Sequence, residues 1–219
     1  MKLLLINPNT NPRTTETMRS VAQNAAPSGV TILAKTAPFG VPLITGPDAL
    51  RESATAVLAS LGSGLEPGLS GIVISAFGDP ALFEARRLTA LPVTGIAEAG
   101  MAEAAAGGRP FAVVTTTPDL VDSIAHSAEI YGHKSSFLGT ELTEGDVTAL
   151  TSDPVRLPQA LLAACQRAVT TRGAEAIVIG GGPLAVAALG IAGELPVPVI
   201  EPVSAAVRLA LLRARREVA

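Results

Sequence analysis

Lys2-Leu3-Leu4-Leu5-Ile6-Asn7-Pro8-Asn9-Thr10 opens the chain, and Pro110-Phe111-Ala112-Val113-Val114-Thr115-Thr116-Thr117 follows at an offset of 108 (residue 110 against residue 2). Both are short apolar runs halted by Asn or Thr. Gly71-Ile72-Val73-Ile74-Ser75-Ala76-Phe77 matches Ala176-Ile177-Val178-Ile179-Gly180-Gly181-Gly182 at an offset of 105 (176 against 71). Leu91-Pro92-Val93-Thr94-Gly95 matches Val197-Pro198-Val199-Ile200-Glu201 at 106 (197 against 91). Three runs recur in one order at nearly one spacing, the signature of a duplicated unit.

The runs Leu3–Ile6, Ile72–Ile74, Val93–Ile96, Phe111–Val114, Ile177–Ile179 and Val197–Ile200 are apolar at successive positions. Strands apolar on both faces belong in a parallel sheet covered by helices on both sides. Between them, Ala-rich stretches with helical spacing cover about 14–25, 47–61, 81–89, 97–106, 118–131, 155–171, 183–191 and 203–217. Thr10 or Asn11 caps the first helix, Asp79-Pro80 starts the third and Pro118-Asp119 the fifth. The alternation predicts an α/β fold of two pseudo-symmetric lobes, each a mostly parallel sheet flanked by helices. In open parallel sheets ligands sit beyond the carboxyl ends of the strands, so two facing lobes share one cleft.

Composition narrows the functions. The 219 residues are 48% apolar and 16% charged, which excludes disorder as the main state. Net charge is −3 and aromatics are 3%, a poor basis for nucleic-acid binding. No apolar run approaches the ~20 residues that cross a bilayer, and the opening one is too short for a signal peptide. These features lead us to expect a soluble cytoplasmic protein without nucleic-acid or membrane partners. A single cysteine, Cys165, forms neither an intramolecular disulfide nor a zinc cage. It sits on the apolar face of a helix, where packing outweighs reactivity. His126 and His133 are read as solvated or core residues, and Arg213, Arg215 and Arg216 as the solvated face of the last helix.

The strand-end loops carry the chemistry. Asn7, Pro8, Asn9 and Thr10 follow the first strand, and Ser75, Ala76, Phe77, Gly78 and Asp79 follow the second repeated one. Thr115, Thr116 and Thr117, then Gly180, Gly181 and Gly182, then Glu201 hold the corresponding places in the second half. Backbone amides at helix starts, with Asn and Thr side chains, suit a carboxylate or an imide carbonyl. Gly180-Gly181-Gly182-Pro183 has neither the dinucleotide spacing nor a Walker lysine.

These residues resemble the aspartate/glutamate racemase superfamily, and within it the hydantoin and allantoin racemases. The likeness rests on Ile6-Asn7-Pro8-Asn9-Thr10, Phe77-Gly78-Asp79-Pro80, Val93-Thr94-Gly95-Ile96-Ala97-Glu98-Ala99 and Val113-Val114-Thr115-Thr116. It implies a cofactor-independent isomerase, without a metal, that holds a small substrate between its lobes: an amino-acid derivative, a hydantoin or a small carboxylic acid. It also implies a homo-oligomer, and a first lobe of residues 1–96 plus 205–219 against a second of 97–204. Substrate contacts are expected from Asn7, Asn9, Thr10, Phe77, Gly78, Thr115, Thr116, Gly180 and Gly182. Racemases of the family use two cysteines, one per lobe, on opposite faces of the substrate carbon. The matching positions here are Ala76 and Gly181, neither of which carries a proton. Cys165 matches neither place. If proton transfer survives, Asp79 and Glu201, with Ser75, are the local substitutes; the alternatives are a catalytically altered lyase or isomerase, or a protein that binds a small acid or hydantoin without turnover.

Overall fold

The computed structural model describes residues 1–216; residues 217–219, included in the expected last helix and first lobe, lie outside the described residues. The strands are β1 (Lys2–Asn7), β2 (Thr31–Thr36), β3 (Gly71–Ile74), β4 (Val93–Gly95), β5 (Phe111–Thr115), β6 (Phe137–Leu142), β7 (Ala176–Ile179) and β8 (Val199–Ile200). The helices are α1 (Pro12–Ala25), α2 (Pro47–Gly62), α3 (Leu82–Leu88), α4 (Ile96–Ala104), α5 (Val121–Ile130), α6 (Val147–Thr151), α7 (Arg156–Arg172), α8 (Ala185–Ile191) and α9 (Pro202–Arg216). Two four-stranded sheets result, ordered β2-β1-β3-β4 and β6-β5-β7-β8, with every pairing parallel. The second order is the first moved on by four strands, which is the duplication seen in the sequence.

Two strands escape the sequence reading. β2 (TILAKT) and β6 (FLGTEL) are edge strands and largely half-buried, so neither presents a continuous apolar run. The central strands do, and alternate residues serve different cores. Leu3, Leu5, Val73, Phe111, Val113 and Val178 face a shared core with residues of α1, α4, α5 and α9. Leu4, Ile6, Ile72 and Ile74 face an outer core that includes α2 and α3 residues. Ala112, Val114, Ile177 and Ile179 do the same with α7 and α8. The layers run helix, sheet, helix, sheet, helix, and the middle one binds the lobes together. α9 packs on β3, β4, α1 and α4, returning the end of the chain to the first sheet.

Helix starts follow local chemistry, with two departures from expectation. Asn11 caps α1, its side chain accepting from the Arg13 and Thr14 amides at 3.0 and 3.4 Å, with Pro12 in the first turn. At α3 the cap is Ala81 in a left-handed conformation, and the Asp79 carboxylate is spent elsewhere. α5 begins at Val121, because Pro118–Leu120 forms a separate 3₁₀ turn. Arg213 is not a solvated surface residue. It donates to Glu98 at 2.7 and 2.8 Å and to Thr94 Oγ1 at 3.0 Å, while Arg86 grips the same carboxylate at 2.7 and 2.9 Å. Charge-assisted bonds to two guanidiniums hold Glu98 below the usual carboxylate range despite its burial.

Candidate functional site

The ends of β1, β3, β5 and β7 face one cleft. Asn9 and Ser75-Ala76-Phe77 supply one side, and Thr115-Thr116-Thr117 with Gly180–Leu184 the other. Leu43 and Ile44 from the loop after β2, Leu120, and Val147 and Thr151 of α6 complete the wall. The sequence reading missed this second group, because isolated apolar residues and a lone helical threonine carry no local sign of a ligand. Thr117 was visible as part of a threonine run.

The lobes meet closely at this point. A Cβ on Gly182 would collide with Met18 Sδ of α1 and lie 3.1 Å from the Ser75 carbonyl oxygen. A Cβ on Gly180 would collide with Val113 Cγ1 of its own lobe, at 2.7 Å, and lie 3.4 Å from Phe77 Cε1 of the other. The glycine run therefore answers a packing demand: the second lobe's loop sits against the first lobe's side chains and backbone. Gly181 differs. Its φ of 165° is ordinary extended backbone, and a Cβ there meets only the Leu184 side chain, at 3.1 Å.

The polar groups are oriented by their own bonds. Asn9 Oδ1 accepts from Asn7 Nδ2 and from the Asn11 amide, both at 2.9 Å, which leaves Nδ2 as the unengaged end of Asn9. Thr115 Oγ1 donates its single proton to the Gly180 carbonyl at 2.7 Å. The 3.0 Å contact between Thr115 Oγ1 and Thr117 Oγ1 must then be donated by Thr117, whose oxygen keeps only lone pairs. Ser75 Oγ likewise spends its proton on the Ile6 carbonyl at 3.0 Å. The cleft thus offers an amide donor at Asn9 and acceptors at Thr117 and Ser75, with the Thr116 hydroxyl, able to donate or accept, also on its wall. None of its lining side chains is ionisable among the described residues.

Several expected site residues lie elsewhere. Asn7 is fully buried and supports Asn9, also donating to Thr15 Oγ1 at 2.9 Å. Thr10 and Gly78 do not line the cleft, although Thr10 ties the neighbouring loop through its amide to the Val41 carbonyl at 3.0 Å. Asp79 and Glu201, expected as substitute acid and base, are helix caps. Asp79 accepts from the Ala97 and Glu98 amides at 2.9 and 2.7 Å, and from the Tyr131 hydroxyl at 2.7 Å. It fills the space a side chain at Gly95, the cap position of α4, would occupy. Burial pushes its carboxyl up to about 7 against the lowering effect of those bonds. Glu201 accepts from the Val203 and Ser204 amides at 2.8 and 2.7 Å and from the Ser204 hydroxyl at 2.6 Å. Burial raises its pKa as well, but it opens on a different groove, beside Glu103 and Arg208. Gly95 and Glu201 occupy matching places in the repeat, so the corresponding helices α4 and α9 are each capped by a carboxylate, one borrowed and one local. Cys165 is sealed in the outer core of the second lobe, where burial pushes its thiol up to about 12.

Comparison with known proteins agrees with this architecture. Residues 3–210 match the family model described as Asp/Glu/Hydantoin racemase. A hydantoin racemase from Pseudomonas sp. (strain NS671) is 33% identical over 96% of this chain and 84% of its own length. The solved allantoin racemase from Klebsiella pneumoniae superposes with a TM-score of 0.93 at 36% identity, over 99% of this chain and 89% of that one. The allantoin racemase from Pseudomonas fluorescens also gives 0.93, at 27% identity over 99% and 92%.

Proposed function

Because the chain belongs to the Asp/Glu/hydantoin racemase family, we propose that it holds a small neutral cyclic amide of the hydantoin type between its lobes and does not racemise it by thiol chemistry. The observation that carries this reading is the cleft lining: no ionisable side chain, an amide donor at Asn9, hydroxyl acceptors at Thr117 and Ser75, and a further neutral hydroxyl at Thr116. A ring bearing C=O beside N–H matches that polarity. A carboxylate would meet no Lys or Arg there and would face the two acceptor oxygens.

Removing a proton next to a carbonyl needs a base within hydrogen-bond reach, and inversion needs a donor on the opposite face. Ala76 and Gly181 line the cleft without either group. Asp79 and Glu201 have their oxygens engaged at helix starts and do not line it. The wall of Leu43, Ile44, Leu120 and Val147 suits the apolar substituent of such a ring.

The test is calorimetric titration with hydantoin, 5-substituted hydantoins, allantoin, aspartate and glutamate, with α-proton exchange in D₂O followed by NMR on the same samples. Saturable binding of the neutral rings without exchange is expected. Exchange with inversion on any of them would overturn the non-racemising reading, and preference for aspartate or glutamate would overturn the ligand class. Thr117→Val, which deletes an acceptor and keeps the shape, should weaken hydantoin binding about tenfold.

A further inference from the structure

Tyr131, the only tyrosine of the chain, lies outside the cleft at the end of α5. Its hydroxyl crosses from the second lobe to donate to Asp79 Oδ2 at 2.7 Å. Its ring packs against both the shared core and the outer core of the first lobe.

The segment it reaches is conformationally costly. Gly78, Asp79 and Ala81 have φ values of 121°, 47° and 59°. Left-handed backbone at residues other than glycine persists only where the surroundings over-determine it. Within the turn there are two main-chain bonds, from the Asp79 amide to the Ala76 carbonyl at 3.0 Å and from the Leu82 amide to the Asp79 carbonyl at 3.1 Å. Beyond the core packing of Phe77, Ala81 and Leu82, the turn is held by the Asp79 carboxylate, pinned by two α4 amides and by Tyr131. Beside it on α4 stands Glu98, balanced by Arg86 of α3 and Arg213 of α9. Ala76 and Phe77, at the head of this turn, are the first lobe's wall of the cleft.

We infer that Tyr131 is a positioning residue for the cleft: gripping Asp79 from the second lobe, it keeps the Ala76–Ala81 turn in the shape that presents Ala76 and Phe77. Because the ring is held by its own packing, Tyr131→Phe deletes the bond and leaves the packing in place. Its consequence for ligand affinity rests on the reading of the cleft given above; the positioning itself does not.

The test uses a thiol introduced by Ala76→Cys and labelled with dithiodipyridine. Position 76 lines the cleft and is otherwise buried, so the labelling rate reads how far the turn holds the thiol back from a reagent in the cleft. Adding Tyr131→Phe should speed this labelling about tenfold, the effect of losing one hydrogen bond to a charged acceptor. The buried Cys165 should stay unreactive in the same sample, which separates local release of the turn from general destabilisation. Asp79→Asn should accelerate labelling at least as much, and should raise Tyr131 emission by removing the quenching carboxylate. It also serves as the second variant if Tyr131→Phe does not fold. Unchanged labelling at position 76, or equal acceleration at position 76 and Cys165, overturns the inference. Local acceleration in a protein that fails to bind hydantoin leaves the positioning role standing and removes the proposed ligand.

Discussion

Gly95→Ala is the smallest change that separates a structural Asp79 from a catalytic one. Gly95 has φ −91° and ψ 150°, which alanine adopts without strain, and in an unconstrained site the substitution would be neutral or slightly stabilising. Here the new methyl falls inside the Asp79 carboxylate. The carboxylate must leave, and three donors lose their acceptor: the Ala97 and Glu98 amides and the Tyr131 hydroxyl. An unpaired buried donor costs roughly 1–3 kcal/mol, and amides at a helix start recover part of this from water. We expect a net loss of about 3 kcal/mol. At roughly 2–4 °C per kcal/mol for a chain of this size, the melting temperature should fall about 6–12 °C. The assay is urea and thermal unfolding of wild type, Gly95→Ala, Asp79→Ala and the double variant. In the Asp79→Ala background the second methyl meets no carboxylate, so Gly95→Ala should cost nothing there, giving a coupling energy of about 3 kcal/mol. An equal cost in both backgrounds would refute the assignment of Asp79 as the cap of α4.

Three further outcomes follow from the same geometry. Ala76→Cys with Gly181→Cys should fold, since Gly181 is extended and its new Cβ meets only Leu184; the pair should confer α-proton exchange on hydantoins in D₂O, and a folded double variant that binds hydantoin without exchange contradicts it. The folded-state pKa of Asp79 is raised from 3.8 to about 7, so its contribution to stability is fully present below 3.8 and lost as pH rises through about 7. Urea unfolding between pH 5 and 8 should show this fall in wild type and not in Asp79→Asn, whereas Glu98, held low by Arg86 and Arg213, loses its contribution as pH falls below the carboxylate range. Native Cys165, buried with its thiol pushed up to about 12, should resist alkylation, and Cys165→Ser should leave hydantoin affinity unchanged, as calorimetry would read directly.

The division between legible and illegible features follows the range of the forces involved. Leu3–Ile6, Ile72–Ile74, Phe111–Val114 and Ile177–Ile179 are apolar at successive positions because both faces of a central parallel strand are covered. That local pattern, recurring at a near-constant offset, is sufficient to determine an α/β fold with two matching lobes and to locate the strand-end loops. β2 and β6 stay hidden because these edge strands are largely half-buried and mix polar with apolar residues, whereas the edge strands β4 and β8 keep short Val/Ile runs.

Tertiary structure alone decided what Asp79 does. Its sequence neighbours point to the helix after Pro80, yet its carboxylate reaches α4, where Gly95 leaves an empty cap, and meets a tyrosine 52 residues away. The same holds for Arg213, drawn from an apparent surface helix to Glu98, and for Leu43, Ile44 and Val147, which become a cleft wall only when two lobes close on each other. Hydrophobic periodicity is written along the chain because each residue's burial depends on its own strand or helix. Hydrogen-bond partners and cleft walls depend on distances between segments far apart in sequence, and those exist only after the lobes have packed.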